Sequence, residues 1–157
     1  TYLLGMHDGK LLCGARFIDS TQPTTMSEIF HKYFSAVCRL PTDMPCCEIT
    51  RLFLDKERRD AAKLDGLPAS KALFLAMIIF CMKKKYTGMY AVVSRGMYAI
   101  FRHANWKTEV IQKGFSEKGE DIYYIFMPAN SNVIEDIIIK DKHSDWLREK
   151  LQHLCHL

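Results

Sequence analysis

No run in this 157-residue chain is long and apolar enough to cross a bilayer. The most hydrophobic segment, Ala72 to Met82, falls short of the roughly 20 residues a spanning helix needs, and it ends in Lys83-Lys84-Lys85. It reads as a buried helix, and no stable membrane association is expected. The chain also lacks a Cys-x-x-Cys pair and a His-Glu-x-x-His run. Adjacent Cys46 and Cys47 point to opposite faces of a strand, and His153 and His156 have no clear third ligand, so no metal site is expected. The six cysteines, Cys13, Cys38, Cys46, Cys47, Cys81 and Cys155, suit small buried hydrophobes in a reducing compartment, which points to the cytoplasm. The excess of one charge sign over the other is small too. A net charge of +4 admits an acidic partner without requiring nucleic acid, and no nucleic-acid partner is expected. Signal peptide, internal repeat, low-complexity tract and linker are all missing, so residues 1–157 read as a single domain. Thr1-Tyr2-Leu3-Leu4-Gly5 begins inside a strand-like pattern, and further chain is expected before it.

What is present is enough apolar residue, 48% of the chain, to build a sizeable core. Tyr2 to Met6 and Leu11 to Ile18 flank an Asp8-Gly9 pair, a strong hairpin signal. Thr24 to Glu28 starts a short helix, with Glu28 three residues after Thr25 as in a capping box. That helix carries Ile29, Phe30, Tyr33 and Phe34 on its apolar side. Cys46 to Asp55 reads as a strand. Lys56 to Pro68 is polar and reads as an exposed connection. A long helix follows over Ser70 to Lys85, then a buried strand from Met89 to Ser94 and a helix from Arg95 to Asn105 with Met97, Ile100 and Phe101 inward. Trp106 to Phe115 and Ile122 to Met127 pair as strands. Val133 to Ile139 and Ser144 to Leu154 look helical.

The strand Cys46 to Asp55 is the unusual element. It carries Glu48 and Arg51 among apolar residues, where a half-buried strand normally places Val or Ile. Burying a charge is costly unless it is paired, so the two mark either a site or a structural ion pair. Strand alternation puts Glu48 and Thr50 on one face and Arg51 on the other.

The order of elements implies an α/β (α+β) architecture: a mixed twisted sheet with helices on both faces. The arrangement resembles GNAT-type acyltransferases, a fold in which neighbouring parallel strands splay to form a cleft. Several blocks are more specific. Tyr2-Leu3-Leu4-Gly5, Cys13-Gly14-Ala15-Arg16-Phe17, Glu48-Ile49-Thr50-Arg51-Leu52-Phe53, Leu73-Phe74-Leu75-Ala76-Met77, Val92-Val93-Ser94-Arg95-Gly96-Met97, and Ile122-Tyr123-Tyr124 with Met127-Pro128 occur in that order. Together they resemble the acyl-homoserine-lactone synthase family of bacterial autoinducer synthases, over residues 1 to about 128, with the family's N-terminal part missing. One absence agrees. GNAT acetyltransferases that take coenzyme A carry a Gln/Arg-x-x-Gly-x-Gly/Ala loop for pyrophosphate. Nothing from Asp55 to Ser70 fits it; Lys63-Leu64-Asp65-Gly66-Leu67-Pro68 comes nearest and ends in Pro.

The resemblance implies a quorum-sensing function. An acyl group passes from acyl carrier protein to the amine of S-adenosylmethionine, which serves as substrate rather than cofactor; lactone closure then releases methylthioadenosine. Glu48, Arg51 and Arg16 match the family's catalytic core, with Glu48 the candidate base and each arginine either a carboxylate-binding or a cleft-shaping group. The implied acyl tunnel draws on Met77, Phe80, Ala91, Val93, Ser94, Phe101 and Met127, positions that plain core packing suits equally well. Family members that make 3-oxo signals often have Thr where Ala91 stands, so an acyl chain without the 3-oxo group is expected. Carrier-protein docking falls to Arg102, Arg95 and Lys84, which with Lys83 and Lys85 are expected to cluster at the ends of two helices beside the tunnel. The rival readings are another GNAT-like N-acyltransferase and a non-catalytic acyl-binding module.

Overall fold

A computed structural model describes residues 1–36, 43–61, 68–139, 145 and 147–149. Six strands form one sheet: β1 (Tyr2–His7), β2 (Lys10–Asp19), β3 (Cys46–Leu54), β4 (Gly88–Ser94), β5 (Glu109–Phe115) and β6 (Asp121–Pro128). Their order across the sheet is β1-β2-β3-β4-β6-β5. Among the described residues only β3 and β4 run parallel, and the long helix α3 (Ala69–Lys83) lies in the crossover between them. The remaining helices are α1 (Thr25–Glu28), α2 (Lys56–Ala61), α4 (Arg95–His103) and α5 (Ser131–Ile138), with a 3₁₀ turn over Phe30–Tyr33. The expected mixed sheet with helices on both faces is the observed architecture. No helix among the described residues is long and apolar enough to cross a membrane.

Strand alternation sorts the side chains into two cores. On one face, Ala15, Phe17, Cys47, Ile49, Met89, Ala91, Val93, Ile125 and Met127 pack against α3, α4 and α5. On the other, Cys46, Tyr90, Ile122 and Tyr124 pack beneath Met26 and Phe34 from the α1 segment.

Four sequence expectations change. Trp106 stands outside the strand, which starts at Glu109. Its ring is buried against Phe74 and Phe101, and its Nε1 donates to the Pro128 carbonyl at 3.1 Å, so an indole that satisfies both needs holds the chain off the sheet edge. Lys56–Ala61 is helical rather than a plain connection: Asp55 precedes it and its Oδ1 accepts the Arg58 N–H at 3.0 Å, as an N-cap does. The capping box of α1 is real but one residue earlier, with Thr24 as cap and Ser27 as its reciprocal partner. The expected helix from Ser144 to Leu154 falls mostly outside the described residues.

The fourth concerns β3. Gly14 pairs with Phe53 and Arg16 with Thr50, so Arg51 and Leu52 together oppose Ala15. This is a β-bulge, and Arg51 takes it up with φ of 52°, a left-handed conformation uncommon outside glycine. The extra residue shifts the alternation by one. Leu52 and Leu54 turn into the α3 core.

Candidate active site

β3 and β4 pair only at Cys46 with Gly88, Cys47 with Met89 and Glu48 with Tyr90. Beyond Glu48 the strands splay, because Ile49 to Leu54 pair only with β2 and Ala91 to Ser94 only with β6. A V-shaped opening through the sheet results, with Glu48 at its apex.

On the α1 face a cavity of about 420 Å³ covers this apex. Arg16, Glu48, Thr50 and Arg51 supply its polar wall; Ile29, Phe30, Ile49 and Val92 supply the apolar one. Arg16 and Thr50 are cross-strand partners and therefore neighbours on one face. Arg51 was expected on the opposite face from Glu48. The bulge corrects that expectation, bringing Arg51 to the same cavity, where its Nη1 donates to Tyr2 Oη at 3.1 Å.

Glu48 is 1% exposed. Its two oxygens accept the backbone N–H groups of Thr25 at 2.7 Å and Met26 at 2.8 Å. The first turn of a helix has unsatisfied backbone N–H groups, and the two carboxylate oxygens satisfy two of them here. Neither arginine forms an ion pair with Glu48, although such pairing was one reading of the sequence. Each carboxylate oxygen keeps a further lone pair for a proton from the cavity. The Arg16 guanidinium has no acidic partner among the described residues, which suits it to a substrate carboxylate.

The α1 segment roofs the cavity as a strap tied at both ends. Glu48 holds its start. At its finish, Lys32 Nζ lies 3.3 Å from Glu117 Oε1 and the Tyr33 hydroxyl bonds the same oxygen. These two partners, the hydroxyl first, hold the Glu117 carboxyl below its ordinary range. Gly114 of β5 lies against the Tyr33 carbonyl and the Phe34 ring, leaving no room for a Cβ.

Across the sheet lies a second, mainly apolar cavity of about 340 Å³, lined by Leu52, Phe53, Leu54, Lys56, Ser70, Leu73, Phe74, Met97 and Ile100. Of the expected tunnel residues, Met77, Ala91, Val93, Phe101 and Met127 sit on the same side of the sheet in the packed core, while none of them lines this cavity. Phe80 packs on Phe17 with ring centroids 4.4 Å apart. Ser94 caps α4 by accepting the Met97 N–H at 3.3 Å. The sequence pattern missed most of the cavity wall because Leu52 and Leu54 reach it only through the bulge. The signal available was a lone Arg interrupting an apolar strand.

Lys84 follows the last turn of α3, and β4 then carries the chain away, by roughly 20 Å at 3.3 Å per residue, before Arg95 opens α4. Arg102, at the other end of α4, lies over the Tyr98 ring at 5.9 Å, and Tyr98 stacks on Tyr123. Burial pushes the Cys13 and Cys46 thiols up, and the Cys81 thiol, its Sγ 3.9 Å from that of Cys47, together with burial raises Cys47 as well. Among the described residues no group of His, Cys, Asp and Glu is placed to hold a metal ion.

This constellation has relatives. The autoinducer synthase family profile matches residues 1–137. The chain belongs to the autoinducer synthase family. An acyl-homoserine-lactone synthase of Serratia liquefaciens is 39% identical over 136 residues, covering 84% of this chain and 67% of that protein. Among solved structures, BjaI, a CoA-dependent acyl-homoserine lactone synthase determined with SAM and isopentyl-CoA, superposes with a TM-score of 0.72 at 21% identity, covering 88% of this chain and 63% of BjaI. A GNAT acetyltransferase of Streptococcus agalactiae is a more distant likeness, with a TM-score of 0.50 at 14% identity over 82% of this chain and 64% of that one. This autoinducer synthase chain thus spans about two thirds of the relatives it matches, and it shares their GNAT-like fold.

Proposed function

We propose that the protein is an acyl-homoserine-lactone synthase, using S-adenosylmethionine as acyl acceptor and an acyl thioester on acyl carrier protein as donor. One observation carries this reading: where β3 has parted from β4, successive stretches of β3 line a polar cavity that holds Glu48 and a separate, mainly apolar cavity packed against α3 and α4. A reaction between a charged amino acid and a fatty thioester needs both environments to meet at one point.

In this reading Arg16 and Arg51 receive the carboxylate of S-adenosylmethionine in the 420 Å³ cavity, and Phe30 and Val92 contact its less polar parts. The acyl chain lies among Leu52, Leu54, Leu73, Phe74 and Met97, with Ala91 and Val93 behind it. Glu48 takes a proton from the α-amine, whose lone pair then attacks the thioester carbonyl carbon. The C–S bond breaks and the pantetheine thiol leaves. The substrate carboxylate next attacks its own γ-carbon, closing the lactone and expelling methylthioadenosine. Both substrates belong to the cell interior, so a cytoplasmic setting follows.

Mass spectrometry tests the reading directly. The complete natural protein, given S-adenosylmethionine and a panel of acyl-carrier and acyl-CoA thioesters, is expected to release an acyl-homoserine lactone and methylthioadenosine together. The preferred lactone is expected to lack a 3-oxo group. Thioester consumed without either product would point to another N-acyl transfer, and faster turnover of acyl-CoA would replace the carrier protein as donor.

Docking is expected to centre on Arg102. Reversing its charge (Arg102→Glu) should raise KM for the acyl carrier substrate by about tenfold and leave kcat in place. The difference should shrink as salt is added. An unchanged KM would remove Arg102 from the interface.

A further inference from the structure

Thr50 lines the polar cavity, two residues after Glu48 on the same face and directly opposite Arg16. Its Oγ1 is buried and has no hydrogen-bond partner among the described residues. A buried hydroxyl without a partner destabilises a fold and is rare. Valine has the same shape without that penalty and suits a strand better. A hydroxyl kept at such a cost, on the wall of a reaction cavity, is explained by a partner that arrives with the substrate.

Position narrows what that partner is. Thr50 stands just past Glu48, where β3 has parted from β4 and the sheet is open. A thioester reaching through the opening toward an amine near Glu48 presents its carbonyl beside Thr50. One staggered χ1 step exchanges the hydroxyl with the methyl or hydrogen of the side chain, so a ligand can draw it out of its unpaired position. In the same reading Arg16 and Arg51 take the acceptor's carboxylate, and Arg51 also bonds Tyr2 Oη, which leaves the Thr50 hydroxyl as the neutral donor on this wall.

We propose that the Thr50 hydroxyl is the hydrogen-bond donor to the thioester carbonyl oxygen during acyl transfer, a role that rests on the acyl-transfer reading above. As the amine nitrogen bonds to the carbonyl carbon, the π pair moves onto oxygen and the Thr50 O–H stabilises the charge that develops there. When the carbonyl re-forms, the C–S pair leaves with sulfur; the nitrogen, cationic after attack, sheds its second proton to that sulfur, and the first proton, held by Glu48, is returned to solvent. The hydroxyl itself is neither consumed nor deprotonated.

The test compares Thr50→Val and Thr50→Ser with wild type in the complete natural protein, reading kcat, both KM values and the thermal midpoint. Thr50→Val should lower kcat by about 10²- to 10³-fold, the effect of losing one donor to a developing oxyanion, with both KM values within about twofold. Thr50→Ser should stay within roughly tenfold of wild type. The thermal midpoint of Thr50→Val should equal or exceed that of wild type, because an unpaired buried hydroxyl has been removed. An unimpaired Thr50→Val overturns the assignment. So does a rise in KM for S-adenosylmethionine at constant kcat, which marks ground-state binding alone, and so does a midpoint that falls along with activity, which marks a structural hydroxyl. A wild type that forms no lactone overturns the acyl-transfer reading and this assignment together, whereas a competent wild type beside an unimpaired Thr50→Val overturns Thr50 alone.

Discussion

Glu48→Gln is expected to reduce lactone formation by about 10²- to 10⁴-fold and to lower the thermal midpoint. The two effects have separate causes. Catalytically, an amide cannot take the proton from the attacking amine. Structurally, Thr25 N–H and Met26 N–H each need an oxygen, and the carboxylate supplies one to each. The substituted amide would offer one oxygen and one NH₂ group, so one backbone donor would face another donor. Hydrogen bonds to a charged group contribute about 1.5–3 kcal/mol, and an orphaned donor costs a similar amount. For a chain of this length that corresponds to a midpoint lower by roughly 5 °C. Mass spectrometry of products and calorimetry of the same preparation read the two arms. If Glu48 only anchors the strap, the variant will recover wild-type kcat at saturating S-adenosylmethionine and show its defect in KM alone. Full activity with an unchanged midpoint would contradict both roles.

Gly114→Ala should loosen the other end of the strap. The added Cβ would meet the Tyr33 carbonyl and lie 2.8 Å from Phe34 Cδ1. Backbone cannot retreat as a flexible side chain does, so Phe34 must leave its seat beside Tyr124. Overpacking of this kind costs about 1–3 kcal/mol. The consequence reaches the cavity because Ile29 and Phe30, which wall it, precede the displaced turn. KM for S-adenosylmethionine is expected to rise by about tenfold, with kcat much less affected. Gly96→Ala is the control. Its Cβ would meet only Ser94 Oγ at 3.9 Å, and alanine inside a helix is preferred to glycine. Equal thermal midpoints for the two variants would show that the strap does not seat on β5 as described.

Much of the fold was legible because its signals are local. The Asp8-Gly9 hairpin, the period of α4 and the apolar runs of α3 and β4 each report a few neighbouring residues, and each of these elements exists within a few residues of its expected ends. Glu48 was legible for a different reason: a carboxylate among apolar strand residues is costly in any fold, so residue identity alone marks it for a use. The wall of the apolar cavity was not legible. Alternation assigns Leu52 and Leu54 to the face of Glu48, and only the bulge at Arg51 sends them through to α3.

The elements, their order, the carboxylate and arginines of β3 and β2, and the family likeness are all properties of the amino-acid sequence, since each resides in short-range pattern or residue identity. What those groups face belongs to the tertiary fold. It brought Arg51 to the cavity of Glu48 through one left-handed residue, and it gave Glu48 two backbone donors from 22 and 23 residues earlier in the chain. It also left the Thr50 hydroxyl without a partner among the described residues, at the mouth of the opening. Pairing register and long-range hydrogen bonds depend on which distant segments meet, and the period of a single strand carries no record of that.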